Sequence, residues 1–200
     1  MDVDWEVEIG GDAPVIEAQW SGLIDLRTHP QRIDEIFEVS SVPQLGDLLL
    51  VLNSENSPVW TSKCDVWEPE PNANGCYVDM LPREPQLFGD WKEMERFCQA
   101  VVRRIAPKAE DDALENPKAS RAFLVADGSA EDTSLNLIIR RAVNGGDEGF
   151  GITAYFAAAN SQVRGAKSEL GALMGKFLDA MMDRDFPAPP IKAKIRDTGE

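Results

Sequence analysis

The segment at residues 90–106 constrains the fold more than any other part of the chain, because it is a strongly amphipathic helix that needs an apolar surface. Its apolar side chains recur at every third or fourth residue, which is the period of one face of an α-helix. The members of this stripe are Trp91, Met94, Phe97, Cys98, Val101, Val102 and Ile105. Asp90 and Glu93 match a capping box, and Pro107 ends the helix because proline disfavours helix just before itself. We therefore expect a sheet beneath this helix.

Seven segments have residue patterns typical of β-strands, and in the first two apolar and polar residues alternate, as in half-buried strands. They are residues 3–9, 15–26, 58–67, 76–81, 121–126, 134–143 and 150–158. Short turns join most sequence neighbours, and the NGGDEG turn between the last two segments is a strong hairpin signal. The pattern predicts antiparallel pairing, with one hairpin built from the first two segments and another from the third and fourth.

Three further helices are expected. The longest covers residues 161–183 and carries a second apolar stripe. A short helix after Thr28 would present Ile33, Ile36 and Phe37 as its apolar face, and another begins near Ser41. The predicted fold class is α+β, a twisted antiparallel sheet of about seven strands with amphipathic helices packed on one face.

The chain divides into four segments by composition. Residues 1–106 form an N-terminal α+β segment, and residues 107–120 are a charged linker or exposed loop with two prolines. Residues 121–184 are a β-β-β-α segment that we expect to complete the same domain. Residues 185–200 are a proline-rich polar tail.

The charge balance favours one kind of partner over others. Thirty-five acidic and 20 basic residues give a net charge of −15. Such a field repels phosphate backbones and anionic membranes, so we expect no nucleic acid and no membrane as partner. It favours a basic partner or a cationic ligand, and the simpler interpretation is that the charge serves only solubility. The oligomeric state is not fixed by the sequence.

Other sequence features predict a cytoplasmic protein without a cofactor. The first residues lack the basic and apolar regions of a secretory signal, and the longest apolar run is too short to cross a bilayer. The three cysteines show no metal-ligand spacing, so we expect free thiols and no metal. No phosphate-binding, zinc-protease or hydrolase motif occurs, and no cofactor is expected.

Cys64 and His29 are the residues closest to a nucleophile and its base. A thiolate needs a base or a positive neighbour to lower its pKa, and His29 is the only histidine in the chain. The simpler interpretation is that Cys64 is a small core residue and His29 belongs to a turn.

Tryptophans and arginines supply the other candidate binding residues. By strand alternation Trp60 and Trp67 lie on opposite faces of one strand, so one of them is expected to be exposed as an interface anchor. Arg140 and Arg141 also point to opposite faces, so one of them is expected to approach a covered surface and to bind an anion or form an ion pair.

The sequence therefore predicts a non-catalytic protein-interaction or binding module, because side chains suited to catalysis are sparse. The alternative is a small-molecule-binding protein or an enzyme, with its pocket near the hairpin and loops at residues 59–89. Whether the chain is an enzyme is left open at this point.

Overall fold

A computed structural model describes residues 15–70, 73–106, 121–126, 133–160 and 163–183. The expected strand at 3–9, the linker at 107–120 and the tail at 185–200 lie outside the described residues. The described strands are β1 (Ile16–Glu17), β2 (Val59–Glu70), β3 (Ala73–Pro82), β4 (Arg121–Ala126), β5 (Thr133–Asn144) and β6 (Asp147–Ala159). The described helices are a 3-10 helix (Pro30–Glu35), α1 (Phe37–Ser41), α2 (Pro43–Asn53), α3 (Pro85–Gly89), α4 (Trp91–Ile105) and α5 (Val163–Met182).

The described strands form one mixed sheet that is mainly antiparallel. Its order is β1-β5-β6-β3-β2, and β4 also pairs with β5. β4 lies antiparallel to residues 134–139 of β5, while β1 lies parallel to the end of β5 at Ala142 and Val143. The α+β class is therefore confirmed, but the expected count of about seven strands is not matched, because the described residues contain six.

The expected strand at 15–26 is wrong beyond its first residues. After β1 the chain turns, and Gly22 adopts a positive φ of 105° that side chains rarely allow. Asp25 then organises a second turn, because its carbonyl accepts the N–H of His29 at 2.9 Å and its carboxylate accepts the backbone N–H of Arg27. These local hydrogen bonds replace the inter-strand hydrogen bonds that a strand would need. The other half of the expected hairpin, residues 3–9, lies outside the described residues.

One face of the sheet carries the main core, and we call it the helix face. It is lined by alternate residues of β3, β5 and β6, and the helices α2, α4 and α5 pack on it. The largest sheet residues in this core are Val78, Met80, Leu135, Leu137, Ile139, Ile152 and Phe156. Phe156 meets Phe177 of α5 edge to face at 5.3 Å. The expected packing of amphipathic helices on one face is borne out by these contacts.

The helix α4 agrees with the sequence analysis in detail. Its first turn is capped by Asp90, whose carboxylate accepts the backbone N–H groups of Lys92 and Glu93. Phe97 and Val101 of its apolar stripe are buried. Each such side chain contributes on the order of 1.5–3 kcal/mol before conformational entropy is subtracted.

The opposite face, called here the second face, holds a smaller core at one end. Trp60 and Leu81 of the β2–β3 hairpin pack there against Ile16 and Ala142, where β1 joins β5. β1 thus covers the sheet at this end, and the middle of the second face is left to aromatic and polar side chains. None of the helices in the described ranges is long and apolar enough to cross a membrane.

Candidate functional site

A β-bulge in β2 corrects the expected positions of the two tryptophans. Trp60 is the partner of Leu81, but the register shifts after Thr61, and Trp67 is the partner of Gly75. An extra residue in one strand reverses the alternation beyond it. Trp60 and Trp67 therefore lie on the same face of the sheet, the second face, and the expectation of opposite faces is wrong.

Only one of these tryptophans lies in the middle of the second face. Trp60 is 4% exposed in the smaller core, and the guanidinium of Arg27 lies 3.7 Å from its ring centroid. The indole of Trp67 lies directly over Gly75, because a Cβ atom on Gly75 would be only 2.4 Å from its ring atoms. Glycine is thus needed at position 75 for this packing.

Trp67 belongs to a cluster that we call the aromatic cluster, formed by Trp67, Tyr77, Tyr155 and Arg140. The ring of Tyr155 lies 6.3 Å from that of Trp67 and 5.6 Å from that of Tyr77. Arg140 Nη2 donates a hydrogen bond of 2.9 Å to the Tyr155 hydroxyl. At these spacings the rings pack against one another, so the cluster covers the sheet and does not enclose a cage for a ligand.

A buried carboxyl lies beside the aromatic cluster. The Thr153 hydroxyl donates to Asp79 Oδ1 at 2.6 Å. Burial raises the pKa of Asp79, and this outweighs the hydrogen bond from Thr153 and the nearby charges of Arg140 and Lys63, which lower the pKa. Burial also raises the pKa of the Tyr77 hydroxyl, with Asp79 adding to the effect.

The two arginines separate as expected from alternation. Arg140 lies on the second face within the aromatic cluster, and Arg141 lies on the other side, where it forms an ion pair with Glu148 at 2.6 Å. The Arg141 side chain is 61% exposed, so that pair contributes little to stability.

A cleft lies at the outer edge of the sheet, beside the bulge of β2. Its volume is about 170 Å³. Its described lining comes from residues 20–26, residues 35–38, Leu49 of α2 and residues 61–64 of β2. The bulge, the break between the 3-10 helix and α1, and the turn at Gly22 therefore meet in one place.

The rim of this cleft carries two exposed aromatic side chains. Phe37 is 77% exposed and Trp20 is 41% exposed. The expectation that Phe37 belongs to the apolar face of a short helix is wrong, because the helix breaks at Ile36, which adopts an extended conformation. The cleft is also lined by Glu35, Glu38 and Lys63, and Glu35 is paired with Arg32 at 2.7 Å, so the charged residues of the lining are of both signs.

Side chains satisfy the edge of β2 at the cleft. The N–H of Thr61 donates to Asn53 Oδ1 at 3.1 Å, and Trp20 Nε1 donates to the Ser62 carbonyl at 2.9 Å. The Ser62 hydroxyl also donates to the carbonyl of Glu17. Edge strands protected in this way resist pairing with a further strand. A partner at this cleft would therefore be held by side-chain contacts.

Cys64 lies in this cleft, but its chemistry is that of a buried thiol. Burial, together with the nearby carboxylates of Glu38, Asp65 and Asp79, raises its pKa to about 12. A neutral thiol is a poor nucleophile. His29 is not among the described residues that line the cleft; it occupies the N-cap position of the 3-10 helix, without a capping hydrogen bond from its side chain. Of this candidate pair, Cys64 alone lines the cleft.

The cysteines are free thiols, as expected. Cys64 is the partner of Val78 and Cys76 is the partner of Val66, so the two cysteines are staggered by two residues along the hairpin. Burial raises the pKa of Cys76 and of Cys98 as well. In the described part of the chain, no group of three or more His, Cys, Asp or Glu residues could hold a metal ion.

The two rim residues were not expected to lie together, because Phe37 was assigned to the apolar face of a helix and Trp20 to a strand. Two sequence signals could have revealed them. Gly22 breaks the strand pattern, and Pro30 favours the first turn of a short helix. The fold and cleft place this chain in the class of α+β proteins with a mainly antiparallel sheet. No protein-family model, curated protein or solved structure matches it.

Proposed function

We propose that this protein is a non-catalytic interaction module that binds a protein partner at the cleft beside β2. The observation that carries the proposal is the exposure of Phe37, at 77%, on the rim of a cleft whose lining is largely apolar. Exposed aromatic side chains beside a pocket are typical anchors of protein interfaces. Trp20 also lines the cleft, and its indole N–H donates a hydrogen bond to the Ser62 carbonyl, which fixes the orientation of the ring.

The charge of the chain favours a basic partner. The net charge is −15, and Glu38, which lines the cleft, takes part in none of the ion pairs between described residues. We therefore expect the partner to insert an apolar side chain into the cleft and to place Lys or Arg residues beside it. Such contacts raise the association rate at low salt, and added salt weakens them.

The second candidate function is a small-molecule-binding protein or an enzyme that uses the same cleft. Cys64 in its wall favours this alternative, but the raised pKa of the thiol argues against a nucleophile. The volume of about 170 Å³ is also below the roughly 300–1,000 Å³ of typical small-molecule sites. A single side chain of a partner fits this volume better than a cofactor does.

The test compares three proteins in affinity capture from cell extract, at low and at moderate salt. Wild type is compared with Phe37→Ser and with Val15→Ser, a matched control, because Val15 is also an exposed apolar residue, at 42%, and does not line the cleft. We expect one protein to be captured stoichiometrically by wild type and by Val15→Ser, and at least about tenfold less by Phe37→Ser, which is typical of an anchor residue.

Direct binding of the purified partner then decides between the candidate functions. Isothermal titration with that partner should reproduce the loss in Phe37→Ser. Equal capture by Phe37→Ser and wild type would contradict the proposed docking site. A metabolite retained through purification, or a stoichiometric shift of nucleic acid in a mobility assay, would contradict the proposed class of partner.

A further inference from the structure

Three buried oxygen atoms without hydrogen bonds belong to residues near one corner of the helix face. Asn74 Oδ1, Thr133 Oγ1 and Glu169 Oε2 are sealed from solvent, and none of them has a hydrogen-bond partner. Asn74 is 3% exposed and Thr133 is 9% exposed. Buried polar groups are almost always paired, so each of these atoms needs an explanation. The cleft proposed to bind a partner contains none of them.

The sheet register places two of these residues side by side. Asn74 of β3 and Thr133 of β5 are both partners of Ala158, which lies between them on β6. Neighbouring strands lie about 4.8 Å apart, so the α-carbons of Asn74 and Thr133 are separated by roughly 10 Å. All three side chains point to the helix face, and Ala158 between them carries only a methyl group.

The third oxygen reaches the same corner from α5. Asn160, two residues beyond Ala158, donates a hydrogen bond from Nδ2 to Glu169 Oε1. The helix approaches closely here because Gly165 has no side chain, and a Cβ atom at that position would lie 2.5 Å from Asn160. Glu169 is thereby held with its second oxygen, Oε2, sealed and unpaired.

The three atoms can all offer a lone pair to a cation. An amide oxygen and a carboxylate oxygen only accept hydrogen bonds, and a threonine hydroxyl has two lone pairs besides the one proton that it can donate. Hard cations are bound by this combination of carboxylate, amide and hydroxyl oxygens, at about 2.3–2.6 Å for Ca²⁺. With a single carboxylate and no described sulfur or imidazole ligand, the corner is unsuited to zinc and other softer metals.

We propose that Asn74, Thr133 and Glu169 bind one hard metal cation, of the Na⁺, K⁺, Mg²⁺ or Ca²⁺ class. The ion neutralises the buried carboxylate and ties α5 to β3 and β5. It would bind only the folded chain, because residues from three elements come together only on folding. Binding would therefore stabilise the folded state. This site is absent from the expectations drawn from the sequence, since no spacing links positions 74, 133 and 169.

The test measures the midpoint of thermal unfolding by circular dichroism after the full chain has been treated with chelator and desalted. NaCl, KCl, MgCl₂ and CaCl₂ are compared with tetramethylammonium chloride at equal ionic strength. This control is needed because any salt screens the net charge of −15. We expect one of the four cations to raise the midpoint saturably above the tetramethylammonium value, and equilibrium dialysis to find one bound ion per chain.

Two variants assign the effect to the corner. Glu169→Gln should need at least tenfold more of the cation for the same rise in the unfolding midpoint. Glu84→Gln, which changes an exposed carboxylate, should respond like wild type. Thr133→Val keeps the side-chain shape and removes the oxygen, so it replaces Glu169→Gln if that variant does not fold. The proposal is overturned if no cation exceeds tetramethylammonium, or if both corner variants respond like wild type.

Discussion

The strand β3 presents Val78 and Met80 to the helix face, and it presents Tyr77 and Asp79 to the second face. On the helix face, apolar side chains are buried by three helices, so the stability of this face depends little on which individual residues are paired. On the second face, Tyr77 and its neighbours are ordered by contacts between specific pairs, such as the indole of Trp67 over Gly75. The comparison shows that burial stabilises one face, whereas register and local geometry determine the other.

The largest expected difference between the faces comes from one pair of neighbours on β6. Phe156→Ala should lower the free energy of unfolding by about 3–5 kcal/mol, because the buried ring leaves a cavity against Phe177. Tyr155→Ala, one residue away on the second face, should cost less, about 1–3 kcal/mol. Urea denaturation of both variants shows which one loses more unfolding free energy. Equal losses would contradict the difference between the two faces.

A smaller effect tests whether the second face depends on Gly75. Gly75→Ala places a methyl group against the indole of Trp67, so the ring must move, at a cost of about 1–3 kcal/mol. Gly89→Ala is the control, since no atom lies within 4 Å of its added methyl, and it should stay within about 0.5 kcal/mol. Urea denaturation measures the loss of unfolding free energy in each variant. A tryptophan spectrum that Gly75→Ala leaves unchanged would show that the Trp67 ring was not displaced.

The buried carboxyl of the second face predicts a pH-dependent gain in stability. Because the pKa of Asp79 is raised in the folded state, ionising it costs folding free energy above that pKa. Asp79→Asn removes the charge, so it should be more stable than wild type near pH 7. The difference should shrink as the pH falls through the folded pKa towards the unfolded value of 3.8, since wild-type Asp79 then becomes protonated. Thermal melts at several pH values check this, and a gain that grows on acidification would contradict it.

The smallest effect on stability is expected at the cleft rim. Phe37→Ser should change the free energy of unfolding by less than about 0.5 kcal/mol, because the side chain is 77% exposed. The same variant should lose partner binding, so stability and function separate at this residue. A large loss of stability would show that Phe37 packs in the core and would remove the basis of the docking site.

The sequence predicts the helix face well, for a physical reason. The stripe that contains Phe97 and Val101 repeats with the helical period, and that repeat does not depend on which strands lie beneath the helix. The second face could not be predicted in this way. A single bulge after Thr61 moves Trp67 to the face of Trp60, and no local signal in the sequence marks the extra residue.

The cleft takes only part of its lining from the range 59–89, where a pocket was expected. Residues 61–64, which include Cys64, line it. Trp20 and Phe37 were not expected there, because their positions follow from turns that interrupt short apolar patterns. Gly22 ends the first pattern, and the extended conformation of Ile36 ends the second. Short periodic runs do not distinguish a strand or helix from such turns.

Site-specific photo-crosslinking from position 37 tests the central claim most directly. A benzoylphenylalanine replaces Phe37 in one protein and Lys92, an exposed residue of α4, in the control. The account predicts that position 37 alone crosslinks the captured partner, at low salt more than at high salt, through a segment that has an apolar residue flanked by Lys or Arg. Crosslinks of equal yield from both positions, or a crosslinked segment without basic residues, would contradict it.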